Sequence, residues 1–189
     1  MSKLLPVPPL SYKKIGEIGR RNHVNFFPNN QLKPSRINIL DFLEFELETK
    51  TGFRFRVEDY HNLKEGETNF LTKELFLANT TYEQLCQDAP RARFTACHEL
   101  GHVIVHAGYI VGKLENQSPA ITLDRSDIPV FMDPDWQAEV FASTILAPSH
   151  LLRKVLKENP IEQVEAVIRI FGMSYKAAMK RIQIESKLN

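Results

Sequence analysis

His98, Glu99 and His102 stand in the order H-E-x-x-H within the stretch from Phe94 to Tyr109. On an α-helix, residues four apart share a face and lie about 6 Å from each other. Two imidazoles so spaced converge on one metal ion, and the carboxylate between them projects beside it. A zinc ion held this way polarises a carbonyl and acidifies water, and a glutamate at this position takes up the proton. The chemistry that such an arrangement would serve is hydrolysis. Leu100, Val103, Ile104 and Val105 surround these groups with apolar side chains, as on a helix buried over most of its circumference. Buried imidazoles and carboxylates need partners, because unpaired polar groups in a core are costly, and a metal ion supplies one.

A catalytic zinc takes three protein ligands and keeps one position open. His106 is the nearest further histidine, but along a straight helix its Cα lies about 12 Å from that of His98. Three imidazoles in a row do not make three corners of a small tetrahedron, so His106 reads as a supporting or packing residue. The pattern with glycine three and histidine six residues beyond the second ligand is not met either, since Val105 and Gly108 stand there. A second helix supplies carboxylates instead. Asp133 can cap it, Pro134 suits its first turn and Pro148 ends it, while Ala138, Phe141, Ala142, Ile145 and Leu146 recur at helical spacing. Asp135 and Glu139 are four apart on that helix and share a face, so residue types alone leave the third ligand open between them.

The pairing of Arg93 to His106 with Asp135 to Pro148 resembles the ImmA/IrrE family of metallopeptidases. Its marks are Arg-Phe-Thr-x-x-His-Glu-Leu-Gly-His and, some thirty residues on, an acid, Ala, Phe-Ala and Leu-x-Pro. The resemblance covers roughly residues 12 to 160. It implies an α+β fold, with a helix-rich zinc-peptidase core, a small, mainly antiparallel sheet and the HExxH motif on an active-site helix. It implies one zinc ion held by His98, His102 and Asp135, with Glu99 as the catalytic carboxylate. The family normally has Glu where this chain has Asp135, one methylene shorter, and more often Asn or Asp where it has Glu139. Several members of that family cut helix-turn-helix transcriptional repressors inside bacterial cells, so the resemblance implies such a protein as partner and the cytoplasm as compartment. Tyr109 and His150 are candidate donors to the oxyanion of amide hydrolysis.

At 189 residues the chain is long enough for one substantial core. The expectation is a single domain over 1–189, with 150–189 as a C-terminal helical extension of possible helix-turn-helix outline. With 43% hydrophobic and 25% charged residues, neither disorder nor a fibrous class is indicated. No apolar run reaches the length of a bilayer span, and the prolines at 6, 8 and 9 argue against a signal peptide. Two cysteines, Cys86 and Cys97, give no disulfide framework; Cys97, turned about 100° from His98 around the helix, reads as a small buried hydrophobe. The net charge of +1 argues against a general nucleic-acid surface. Basic residues nevertheless gather in 1–36 (seven, against Glu17) and in 150–189 (eight, against four glutamates).

The remaining elements follow from periodicity. Helices are expected over 11–22, 34–50 and 160–171, the last closed by Gly172 and followed by a helix capped by Ser174. Strands are expected at 53–57, where Phe53, Phe55 and Val57 alternate with Arg54 and Arg56, at 69–72 and 75–79, and in the long loop at 120–123. An edge strand beside the zinc helix could pair with extended substrate backbone. A competing reading keeps the fold but makes the chain a non-catalytic regulatory or toxin-antitoxin component acting on a DNA-binding partner by contact. A third gives residues 150–189 direct contact with operator DNA.

Overall fold

Helix α7 (Pro134–Leu146) is apolar around most of its circumference, with Ala138, Phe141, Ala142 and Ile145 fully buried, so it must be surrounded by other elements. In the computed structural model, which describes residues 3–59, 64–116, 123–124 and 127–187, it is the central rod. Helix α1 (Tyr12–Phe26) packs on one side of it, and α5 (Pro90–Gly101) on another. Helix α5 continues through a π-helical turn at His102–His106 into α6 (Ala107–Glu115). Between α1 and α5 lie α2 (Ile39–Asp41) and α3 (Leu47–Thr51), joined by a second π-helical turn at Phe42–Glu46, and α4 (Asn79–Cys86). Helices α8 (Ser149–Glu158), α9 (Gln163–Phe171) and α10 (Tyr175–Lys187) close the chain.

Where helix ends carry recognisable chemistry, they fall close to the expected positions. Ser11 accepts from the backbone N–H of Lys14 at 3.2 Å to start α1, and Asp133 accepts from those of Asp135 and Trp136 at 2.8 and 3.2 Å to start α7. Gly172 ends α9 in the left-handed conformation, and Ser174 accepts from the N–H of Ala177 at 3.3 Å. The helix expected from residue 34 starts only at Ile39, behind an Asn38 cap. Helix α8 lies within the helical extension expected over 150–189, although no periodicity marked its bounds.

Strands β2 (Arg54–Glu58), β3 (Gly66–Asn69) and β4 (Glu74–Ala78) form a sheet in the order β2-β4-β3. It is mixed rather than mainly antiparallel: β3 and β4 form a hairpin, whereas β2 lies parallel to β4. After β2 the chain crosses to the far edge before turning back, which leaves β4 in the centre. The strand expected at 69–72 lies earlier, because residues 70–73 form the hairpin turn and Lys73 takes a positive φ of 53°. Two residues, Leu123–Asp124, are a strand β5 paired with β1 (Lys3–Leu4), and the rest of the expected strand at 120–123 lies outside the described residues. No helix among the described residues is long and apolar enough to cross a membrane.

Two buried arginines fasten the helices. Arg93 of α5, 3% exposed, donates to Asp88 and, at 3.1 Å, to the carbonyl of Ile37, with the Phe171 carbonyl 3.5 Å away. Arg181 of α10 donates to the Ala147 carbonyl at 3.0 Å, to Glu185 at 2.8 Å and to Ser149 at 3.0 Å, which ties α10 to the junction of α7 and α8. The last helix thus spends one of its basic residues inside the protein. Replacing Arg93 by Met keeps the apolar stem but leaves buried acceptors without a donor. The expected loss is about 3 kcal/mol of stability, read from the urea midpoint. Cys97 is fully buried, which pushes its thiol up to about 12, while Cys86 is exposed.

Candidate metal centre

The α5 and α7 backbones nearly touch at Gly101, where a Cβ would meet the Ala138 Cα and carbonyl oxygen at 3.1 Å. That approach brings His98, one turn before Gly101, and His102, next to it, opposite Asp135, one turn before Ala138. Nε2 of His98 and Nε2 of His102 are 3.1 Å apart, and Asp135 Oδ1 is 3.6 Å from the latter. One donor atom from each of the three lies within 4.8 Å of the others. Nitrogens at about 2.05 Å from a tetrahedral zinc are about 3.3 Å from each other, so the imidazole pair already has the spacing of two ligands. Two imidazole nitrogens and one carboxylate oxygen are also a donor set that catalytic zinc uses. The residues fit the ion.

Glu139 does not join this cluster. Although it shares the face of Asp135, its carboxylate meets Lys180 of α10 at 3.2 Å and is about half exposed. His106 faces the other side of His102, with the two Nδ1 atoms 3.1 Å apart, and is not in the cluster either. His150 Nε2 lies 3.2 Å from the Gln31 carbonyl, and Tyr109 lies under Lys113; neither lines the cavity beside the cluster.

Glu99 is 7% exposed and held from the sheet. Thr68 of β3 donates to its Oε2 at 2.8 Å, and Gly66 makes room, since a Cβ there would come within 2.9 Å of Glu99 Cγ. Burial raises the Glu99 carboxyl to about 7, against the Thr68 hydrogen bond, with Asp135 adding to the rise. Burial also pushes the imidazoles down: His98 below its ordinary value, His102 well below it and His106 to about 4. All three rings are therefore neutral near pH 7, the state in which imidazole binds metal. Thr68 and Gly66 carry no signal in the sequence, because they lie on a short half-buried strand without alternation.

A cavity of about 320 Å³ opens on His98 and Glu99, with Gly66 and Glu139 at its walls. It shares Glu65, Phe94, Thr95 and Glu139 with a second of about 520 Å³ that runs on to Val140, Ala177 and Ile184.

Residues 42–183 match the family model of the IrrE N-terminal-like domain, peptidase M78. No curated protein matches the chain significantly. Among solved structures, a Mycobacterium tuberculosis transcriptional regulator is similar at a TM-score of 0.56 and 12% identity, over 92% of this chain and 52% of that one. At that identity the likeness is one of fold, and the chain spans about half the length of that regulator.

Proposed function

The chain belongs to the IrrE N-terminal-like family of peptidases, and from that premise we propose that it is a zinc-dependent endopeptidase of the cytoplasm. Its substrate would be a protein, with a helix-turn-helix transcriptional repressor as the class that the family resemblance implies. The observation that carries this reading is the convergence of His98, His102 and Asp135 beside a buried glutamate that is not itself part of the cluster. The chain acts here as one domain, a view supported by the family match running on through α8 and α9 to residue 183.

His98, His102 and Asp135 would hold one zinc ion, which when bound supplies Lewis acidity to water and to the scissile carbonyl. Glu99 accepts the proton of the attacking water and delivers it to the leaving amine. Thr68 holds the Glu99 carboxylate in place from β3. That strand is an edge of its sheet and borders the cavity through Gly66, so an extended substrate added alongside it would cross the site. Side chains on one side of the cut bond would enter the larger cavity between α5, α7 and α10.

The purified chain is expected to carry close to one zinc per molecule by elemental analysis. It should cleave an unstructured protein such as casein, lose that cleavage on treatment with 1,10-phenanthroline and recover it on adding zinc. Absence of bound zinc after growth in zinc-supplemented medium would count against the proposal, as would cleavage that survives chelation.

A further inference from the structure

The cluster explains His98 and His102 but not the two buried polar residues behind them. His106, at the end of the π-helical turn that follows α5, is 1% exposed, and Gln137 of α7 is fully buried. Gln137 Nε2 donates to the Pro8 carbonyl at 2.9 Å and the Phe131 carbonyl at 2.8 Å. A flipped amide would set its oxygen against both carbonyls, so the orientation is fixed. Its Oε1 then faces His106 Nε2 at 3.2 Å and can only accept, which puts the His106 proton on Nε2. Neutral His106 therefore offers a bare Nδ1, and the 3.1 Å contact to His102 Nδ1 requires that the proton there belong to His102. His102 is left with its lone pair on Nε2, the atom that faces His98 and Asp135.

We infer that Gln137 and His106 are positioning residues that fix the tautomer and the ring orientation of His102, with the polarity of the whole relay set by the backbone carbonyls of Pro8 and Phe131. The inference rests on His102 being a metal ligand, as proposed above. It gives the proline-rich start of the chain a task. Backbone bonds from Val7 to Met132 and from Leu10 to Phe131, both 3.0 Å, hold that segment against the turn preceding α7, so both carbonyls reach Gln137 together. An imidazole ligand whose second nitrogen donates to a fixed acceptor is a stronger base and loses less freedom on binding metal. Here the acceptor is another imidazole, oriented in turn by an amide.

Two measurements test the relay. Long-range proton–nitrogen NMR correlations of the imidazoles, on the metal-free chain, are expected to place the His102 proton on Nδ1 and the His106 proton on Nε2; the reverse placement on either ring overturns the inference. Zinc affinity by competition with a chromogenic chelator should fall about 10- to 100-fold in His106→Leu, and recover in part in His106→Asn, whose amide oxygen can accept from His102 Nδ1. A folded His106→Leu chain that binds zinc as tightly as the native one overturns the inference as well. If His106→Leu does not fold, the proton positions in the native chain decide. A native chain that binds no zinc defeats the peptidase reading, whereas reversed ring protons in a zinc-binding chain defeat only the relay.

Discussion

Glu99→Gln is expected to lower peptide hydrolysis by about 10³- to 10⁴-fold, in the range that positioned general acid–base groups supply, with zinc content unchanged. Glutamine keeps an oxygen that can accept from Thr68, so the packing around position 99 survives and only the proton transfer is lost. The same substitution should stabilise the metal-free protein. Burial holds the Glu99 carboxyl near 7 in the folded chain, above the 4.5 of an ordinary glutamate. A raised carboxylate pKa means that the folded state binds the proton more tightly than the unfolded state does, so stability falls as pH rises from about 4.5 to about 7. The glutamine variant lacks this slope, and its melting temperature at pH 8 should exceed that of the native metal-free chain. Loss of activity with a gain in stability would mark Glu99 as a residue retained for chemistry. If the variant instead relieved repression of a target promoter as the native chain does, regulation by contact would replace cleavage.

The parts of the site that sequence makes legible are those governed by local rules. The H-E-x-x-H spacing follows from helix geometry, and the α7 boundaries follow from a capping Asp133 and a terminating Pro148. The exclusion of His106 as a ligand also came from distance along a helix, and the structure places that ring on the far side of His102. What sequence left open was tertiary. Asp135 and Glu139 occupy one face, and what separates them in space is Lys180, which approaches Glu139 from α10 more than forty residues away. Gln137 sits between the two acids in the motif, and its task exists only because Pro8 and Phe131 present carbonyls to it. Thr68 and Gly66 were missed because β3 has neither alternation nor a fully buried face, and its position is set by the turn at residues 70–73 and its pairing with β4.

Asp135→Ala is expected to weaken zinc binding by more than the roughly 100-fold that loss of an outer hydrogen-bond partner costs, while Glu139→Ala leaves it unchanged, both read by chelator competition. Glu139 is already engaged by Lys180 at 3.2 Å, whereas Asp135 lies in the cluster with His98 and His102. An aspartate arm is one methylene shorter than the glutamate that the family resemblance implies at this position, and the α7 backbone stands close to that of α5 where Gly101 meets Ala138. Asp135 Oδ1 reaches 3.6 Å from His102 Nε2. Two further variants separate arm length from helix spacing. Asp135→Glu lengthens the arm at fixed spacing and should bind more weakly than the native chain yet more tightly than the alanine variant. Gly101→Val must push the helices apart, so it should weaken zinc binding although it removes no ligand, and adding Asp135→Glu to it should restore part of the loss. Additive losses in that pair would mean that arm length and helix spacing are not matched, and zinc lost from Glu139→Ala but kept by Asp135→Ala would move the third ligand one turn along α7.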